Sequence, residues 1–392
     1  MMGTMTAPLL IYNARIITST AVLENAWLLA HGGKIAAFGR GDSPVFDDAE
    51  PFDAAGKTLL PGFIDIHVHG GNGFEAMDAK PETLRALAHF YAKHGVTGFL
   101  ATTWTASAER IHAALKTIAE LQGEQPEGAS LLGAHLEGPY LNPARCGAQD
   151  VNLIRRANRD EASSFLDYNV IRLLALAPEY EENHWLISEC VKRGITVSAA
   201  HTAATYVQMC AAVKLGLSQT THTYNAMTGL HHREPGTLGA ALALPELNCE
   251  LIADNIHVHP AAMRILFAAK GANRVILITD AVRGAGLSEG TRYEQDGRPV
   301  LLRNGSICLP DGTLAGSALT MEHGVYNLMQ ATEQPLETIW PATSLNAARA
   351  IGLSHRTGSI EVGKDADLVL VDETVNIQLT IARGRVVYRN GV

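Results

Sequence analysis

Between residues 61 and 281 the chain alternates short apolar runs with longer stretches whose apolar residues recur every three or four positions. The short runs are FIDIHVHG (63–70), VTGFLATTW (96–104), LLGAHLEG (131–138), VIRLLALAPE (170–179), ITVSAAH (195–201), SQTTHTYNAM (218–227), NCELIADNI (248–256) and RVILITDA (274–281). They are eight strand candidates. Segments such as PETLRALAHFYAKHG, SAERIHAALKTIAELQG, ENHWLISECVKRG, TYVQMCAAVKLG and PAAMRILFAAKG carry the helical period between them. Repeated βα units favour a parallel sheet, and eight of them predict closure into a (β/α)8 barrel. Residues 228–247 and 282–316 are too long for simple connectors and are expected to be elaborated loops, while 320–352 reads as helical. The two ends are instead β-rich, with glycine-marked turns. Each is too short for a core of its own, so residues 1–60 and 353–392 are expected to pair into one small β-sandwich beside a barrel spanning 61–352.

Composition narrows the partners. A chain of 392 residues, 47% apolar, can bury a large core. Its formal charge of −9 offers no cationic stripe for a nucleic acid or an anionic membrane. Five cysteines, widely spaced and without a CxxC, suit reduced thiols in a cytoplasmic protein. The opening MMGTMTAPLLIY lacks the basic and long apolar regions of a signal peptide, Gly3 is misplaced for myristoylation, and no apolar run reaches the length of a membrane span.

The chemistry lies at the strand ends. In FIDIHVHG, period-two alternation sends Asp65, His67 and His69 to one face and Ile64, Ile66 and Val68 to the other. An isolated HxH is an ordinary polar stripe. In a barrel, however, residues at the C-terminal strand ends meet at one rim, and that rim collects His67 and His69, Glu137, His201, His222 and Asp280. Six ligand-type side chains at one mouth predict a metal centre of one or two divalent ions, with zinc and iron(II) both suited to imidazoles and carboxylates. Strand four ends LALAPE, without the lysine that some barrel hydrolases carboxylate to bridge two metals, which leaves Glu137 as the bridge. Metal binding lowers the pKa of water from 15.7 toward about 7, and Asp280 can accept its proton and later deliver it to a leaving group. That is a hydrolytic centre.

PGFIDIHVHG, HLEGPYLNPARCGAQ, AAHT, THTYNAM, HHREPG, ITDA, TLAGSALTM, SLNAARAIG and GSIEVGKDADLVLVD occur in this order. The chain resembles the amidohydrolase superfamily and, within it, the N-acetylglucosamine-6-phosphate deacetylases. The resemblance implies hydrolysis of N-acetyl-D-glucosamine 6-phosphate to glucosamine 6-phosphate and acetate. It implies that Glu137, His201 and His222 hold the principal metal and that Asp280 moves the proton. Members with Gln and Asn in place of His67 and His69 look built for one metal, so the two imidazoles here imply a second site. Carried over likewise, Asn225 and Ala226 meet the sugar phosphate, His257 the sugar, Leu314 and Ala315 the acetyl group, and Ala148 offers backbone. Arg233 reaches the phosphate of a neighbouring subunit, which implies a homodimer. Gln149 stands where some members have a phosphate-facing histidine.

Other residues compete for these roles. His259, in the second HxH, is expected to be structural, and His135, one layer below Glu137, to be a buried hydrogen-bonded histidine. His231 and His232 are either solvated or pocket residues. Arg145 and Arg283 rival Arg233 by loop position, Cys146 is a bystander thiol, and either His222 or His257 could steady the oxyanion. Two rivals stand beside the main reading: a deacetylase for the galactosamine epimer, and a non-catalytic barrel scaffold, whose mark would be lost metal ligands.

Overall fold

The computed structural model describes residues 7–123, 125–295 and 297–391; residues 1–6, including the Gly3 of the myristoylation argument, lie outside them. All eight expected strands form: β1 Phe63–Val68, β2 Val96–Thr102, β3 Ser130–Glu137, β4 Ile171–Leu176, β5 Thr196–Ala199, β6 Gln219–Thr220, β7 Asn248–Ile252 and β8 Val275–Ile278. They lie side by side in chain order, each parallel to the next. The ring closes just beyond β8, where Asp280 N donates to His67 O at 2.9 Å and His69 N to Ala281 O at 2.8 Å. The closing hydrogen bonds therefore involve three of the expected ligand residues.

Alternation along the strands builds two apolar layers. Leu100, Leu132, Leu173, Ile252, Ile276 and Ile278 fill the barrel interior with Ile64 and Ile66. Leu131, Leu174, Leu251 and Leu277, one residue away, pack outward with the helices. The interior is plugged from below by Ala347, Ala348, Ile351 and Leu353. Toward the opposite end its lining turns polar, through His67, His135, Glu137 and Glu250.

Strand β1 departs from simple alternation. Asp65 pairs with Phe99 and Val68 with Ala101, so an extra residue bulges from β1. Val68 consequently belongs to the outer layer, while Ile64 and Ile66 stay inside. The expected common face for all three is not formed, but the bulge still brings the rings of His67 and His69 together.

The two long connectors are folded. Residues 228–247 contain the helix Gly236–Ala243, and 282–316 contain most of a four-stranded antiparallel sheet, Arg292–Gln295, Arg298–Arg303, Ser306–Cys308 and Leu314–Ser317. This inserted sheet is tied to the rim by Ser317 N donating to Asp280 O at 2.9 Å. Its last strand needs Gly316: φ is +88°, and a Cβ there would sit 2.3 Å from Val282 Cγ1.

The terminal segments pair as expected, in one continuous sheet. Strands Leu9–Ile17, Val22–His31, Lys34–Arg40, Glu50–Asp53 and Thr58–Pro61 join Leu368–Val371, Ile377–Ala382 and Arg385–Arg389. The sheet curls over its own core of Ile11, Leu28, Ile35, Leu59, Leu370 and Leu379 until Ile35 N meets Lys364 O at 2.9 Å. Alternate residues, including Leu60, Val369, Val371 and Ile377, pack on the barrel side. Among the described residues no helix is long and apolar enough to cross a membrane.

Candidate active site

Of the six rim residues, His67 and Glu137 sit on regular strand, His69 directly follows β1, and three lie just past a strand end in left-handed backbone: His201 at φ +42°, His222 at +31° and Asp280 at +49°. This conformation is costly for non-glycine residues and persists only where packing over-determines it. Here it turns each side chain out of its strand direction and into the mouth.

The six donors form two groups joined at Glu137. His67 Nε2, His69 Nε2 and Asp280 Oδ1 are 3.3–3.4 Å apart. His201 Nε2 and His222 Nε2 are 3.2 Å apart and lie 3.4 and 3.3 Å from Glu137 Oε1. The same Oε1 is 3.5 Å from His67 Nε2, and Oε2 is 3.3 Å from His69 Nε2. A tetrahedral ion with donors at about 2.0–2.1 Å holds neighbouring donors about 3.3–3.4 Å apart, whereas hydrogen-bonded groups sit closer to about 2.9 Å. The spacing thus matches two ligand sets around ions, His67, His69, Asp280 and Glu137 in one and Glu137, His201 and His222 in the other.

Electrostatics agrees. Burial opposes charging of His67, yet Asp280, Glu137 and Glu250 around it push its pKa up to about 10. Burial likewise opposes ionisation of Glu137, but His67 and the hydrogen-bonding imidazoles of His201, His222 and His69 hold it well below the usual range. Asp280 is depressed too, burial being outweighed first by His67 and then by His69. Buried carboxylates among imidazoles call for positive charge, which divalent ions supply.

Above this centre opens a cavity of about 410 Å³ lined by Glu137, His201, His222 and Asp280 together with Trp104, Arg145, Ala148, Gln149, Asn225, Ala226, His257, Thr313, Leu314 and Gly316. Five of the expected substrate contacts, Ala148, Asn225, Ala226, His257 and Leu314, line it, whereas Ala315, next to Leu314 on the same strand, is buried and does not. Arg233 does not line its own chain's cavity. It is exposed, with Nη1 2.8 Å from His232 Nε2, and His231 and His232 are exposed beside it, which removes their pocket reading within this chain. A larger cavity, about 580 Å³, lies on the inserted sheet among residues such as Arg292, Val300 and Cys308 and shares no lining residue with this one.

The remaining candidates separate clearly. Arg283 is committed to Asp78, Glu75 and the carbonyl of Gly73. Arg145 stands exposed at the mouth, and its carbonyl is hydrogen-bonded to His201 Nδ1 at 2.9 Å. Cys146 lines the cavity as a free thiol. His259 caps the helix Pro260–Lys270 by accepting from Ala261 N, a structural role. His135 is buried beneath the centre, its Nδ1 a long 3.5 Å from Thr102 Oγ1 and its Nε2 without a partner among the described residues, so the expected buried histidine is hydrogen-bonded through one nitrogen. Gln149 turns inward: Nε2 donates to Glu137 Oε2 at 2.7 Å and Oε1 accepts from Thr105 N.

Sequence reasoning missed two neighbours. Trp104 stacks on His69 with ring centroids 3.9 Å apart. Glu250, fully buried on β7, accepts from His67 Nδ1 at 2.9 Å and from Gln219 Nε2 at 2.6 Å. The signal for Glu250 was present, because an acidic residue flanked by outward-packing Cys249 and Leu251 must face inward.

An eight-stranded parallel barrel with imidazole and carboxylate ligands at its rim is the architecture of a metal-dependent hydrolase, and the chain belongs to the amidohydrolase family, which residues 58–387 match. More particularly, it is 40% identical over 390 residues to an N-acetylglucosamine-6-phosphate deacetylase of Bacillus subtilis, covering 98% of both chains. It is also 38% identical over 374 residues to an N-acetylgalactosamine-6-phosphate deacetylase of Escherichia coli O157:H7, covering 95% of this chain and 97% of that one. Among solved structures, the N-acetylglucosamine-6-phosphate deacetylase of Pasteurella multocida superposes with a TM-score of 0.91 at 31% identity, covering 97% and 99% of the two chains. A mutant of the Mycobacterium smegmatis enzyme in complex with N-acetyl-D-glucosamine 6-phosphate gives 0.90 at 30%, covering 97% and 100%.

Proposed function

We propose that this protein hydrolyses the N-acetyl group of N-acetyl-D-glucosamine 6-phosphate, releasing acetate and glucosamine 6-phosphate. The observation that carries the reading is the convergence of six donors at 3.2–3.5 Å spacing on the floor of a sugar-sized cavity. Glu137, His201 and His222 would hold a divalent ion, zinc or iron(II), and the His67, His69 and Asp280 set a second, which would supply Lewis acidity and lower the pKa of water.

The chain's own groups do the rest. Asp280 faces the cavity in its ionised form, so it begins as a base and takes the proton of the attacking water. When the carbon–nitrogen bond breaks, the same carboxyl group delivers that proton to the departing amine. His257, held through Nδ1 by Asp254 at 2.6 Å, presents its other edge to the sugar and is the better placed of the two histidines to meet the reacting carbonyl from outside the ligand sets. Asn225 and the backbone at Ala226 and Ala148 orient the phosphorylated sugar, while Leu314, backed by buried Ala315, shapes the acetyl end. Arg145 is the cation of the same chain at the mouth. Arg233, exposed and outside its own cavity, serves the phosphate in a partner's site, so the working unit is a homodimer. Five free thiols support a cytoplasmic location.

The 38% identical galactosamine relative supports a second reading, in which the 4-epimer is the substrate. Acetate release from both phosphorylated sugars, with and without a chelator, tests both readings. Higher kcat/KM on the gluco substrate with loss on chelation is expected. Higher kcat/KM on the galacto substrate favours the epimer, and no chelator-sensitive release from either defeats the proposal.

A further inference from the structure

We infer that Glu250 is the positioning residue that enables the His67 half of the centre to hold an ion. The inference rests on the metal reading of the rim. Glu250 lies between the halves: its Oε2 accepts from His67 Nδ1 at 2.9 Å and from His222 N at 3.2 Å, and its Oε1 accepts from Gln219 Nε2 at 2.6 Å. The contact engages Nδ1 of His67 and fixes the orientation of the ring. Nε2, which faces His69 and Asp280, is then the ring atom left to ligate an ion.

The other imidazoles are held differently. His201 Nδ1 is bonded to the carbonyl of Arg145, and among the described residues Nδ1 of both His69 and His222 has no hydrogen-bond partner. Of the four rings, among the described residues, His67 alone is backed by a carboxylate, an arrangement that orients a ligating imidazole and raises its donor strength. Among the described residues, Glu137, Glu250 and Asp280 all contact imidazoles of the two donor sets, and Glu250 is itself fully buried, so its hold on His67 is not shared with solvent.

The test uses full-length protein stripped of metal and titrated with zinc, reading stepwise affinities calorimetrically and bound metal by elemental analysis. Wild type is expected to take up two ions per chain. Glu250→Gln keeps an acceptor for His67, since the Gln219 amide can turn over to meet the new NH2, and loses only the charge. Glu250→Leu loses both. Both variants are expected to retain the first ion and to bind the second about 10–100-fold more weakly, with the greater loss in Leu. Unchanged second-ion affinity in folded Glu250→Gln, parallel loss of both ions, or a single ion in wild type would overturn the inference. A wild type that binds no zinc would overturn the proposed function as well. Should Glu250→Leu not fold, the Gln variant decides.

Discussion

Replacing Gly316 by alanine probes how the inserted sheet holds Asp280. The residue sits at φ +88°, so any L side chain there carries left-handed strain of about 1–2 kcal/mol. The added Cβ also falls 2.3 Å from Val282 Cγ1 and 3.2 Å from Asp280 O. Val282 is fully buried, so its methyl cannot swing aside, and overpacking of this kind costs about 1–3 kcal/mol. Together the two effects amount to about 2–5 kcal/mol, a large share of the roughly 5–15 kcal/mol that keeps a typical protein folded. The loss is local as well as global, because the neighbouring Ser317 N is bonded to Asp280 O. Thermal unfolding should show a lowered Tm in Gly316→Ala, and kcat should fall by more than the unfolded fraction explains. The companion Val282→Ala removes the opposing methyl. In a double-mutant cycle it should recover the packing part, about 1–3 kcal/mol, but not the backbone part. A Gly316→Ala protein as stable as wild type, or a cycle with no coupling, would refute the reasoning.

Three further outcomes are expected. Asp280→Asn should lower kcat by about 10²–10⁴-fold while metal bound by Glu137, His201 and His222 is retained; turnover near wild type removes the proton role. Arg233→Ala should raise KM for the phosphorylated sugar by roughly 10–150-fold, the loss of a charged hydrogen bond, and leave an unphosphorylated analogue unaffected. If Arg233 acts across a dimer, mixing it with an Asp280→Asn protein should restore part of the activity; absence of any rescue argues for a site within one chain. Asp365 joins Lys34 of the first half of the terminal sheet to Arg356. Burial raises its pKa, but the hydrogen bonds from Lys34 and then Arg356 outweigh it and hold the group below its ordinary 3.8. Its stabilisation is therefore complete above about pH 4 and lost as pH falls through the lower folded value. The Tm gap between wild type and Asp365→Asn should shrink only under those acidic conditions, and a gap constant from pH 6 to pH 3 would contradict the pairing.

The order of elements was legible because each is written in a local period. FIDIHVHG, LLGAHLEG and RVILITDA announce strands by their own composition, and the helices between them by spacing. The rim residues followed from one topological rule, that barrel strands bring their C-terminal ends to the same face. What escaped depends on partners distant in the chain. The bulge in β1 is set by its pairing with β2, and the sheet within 282–316 by hairpins whose strands are only three to six residues long. Gln149 could not be assigned to Glu137, nor Trp104 to His69, until loops from different βα units met over the centre.

The sequence by itself determined the periodicities, the inventory of imidazoles and carboxylates, and their places at strand ends, since alternation and helical spacing depend on neighbours a few residues away. Tertiary structure alone decided the distances. Only barrel closure brings Asp280 N to His67 O, sets donors from five strands 3.2–3.5 Å apart, and buries Glu250 against His67. Ligand geometry is a relation among side chains up to 213 positions apart, from His67 to Asp280, and no local preference encodes it.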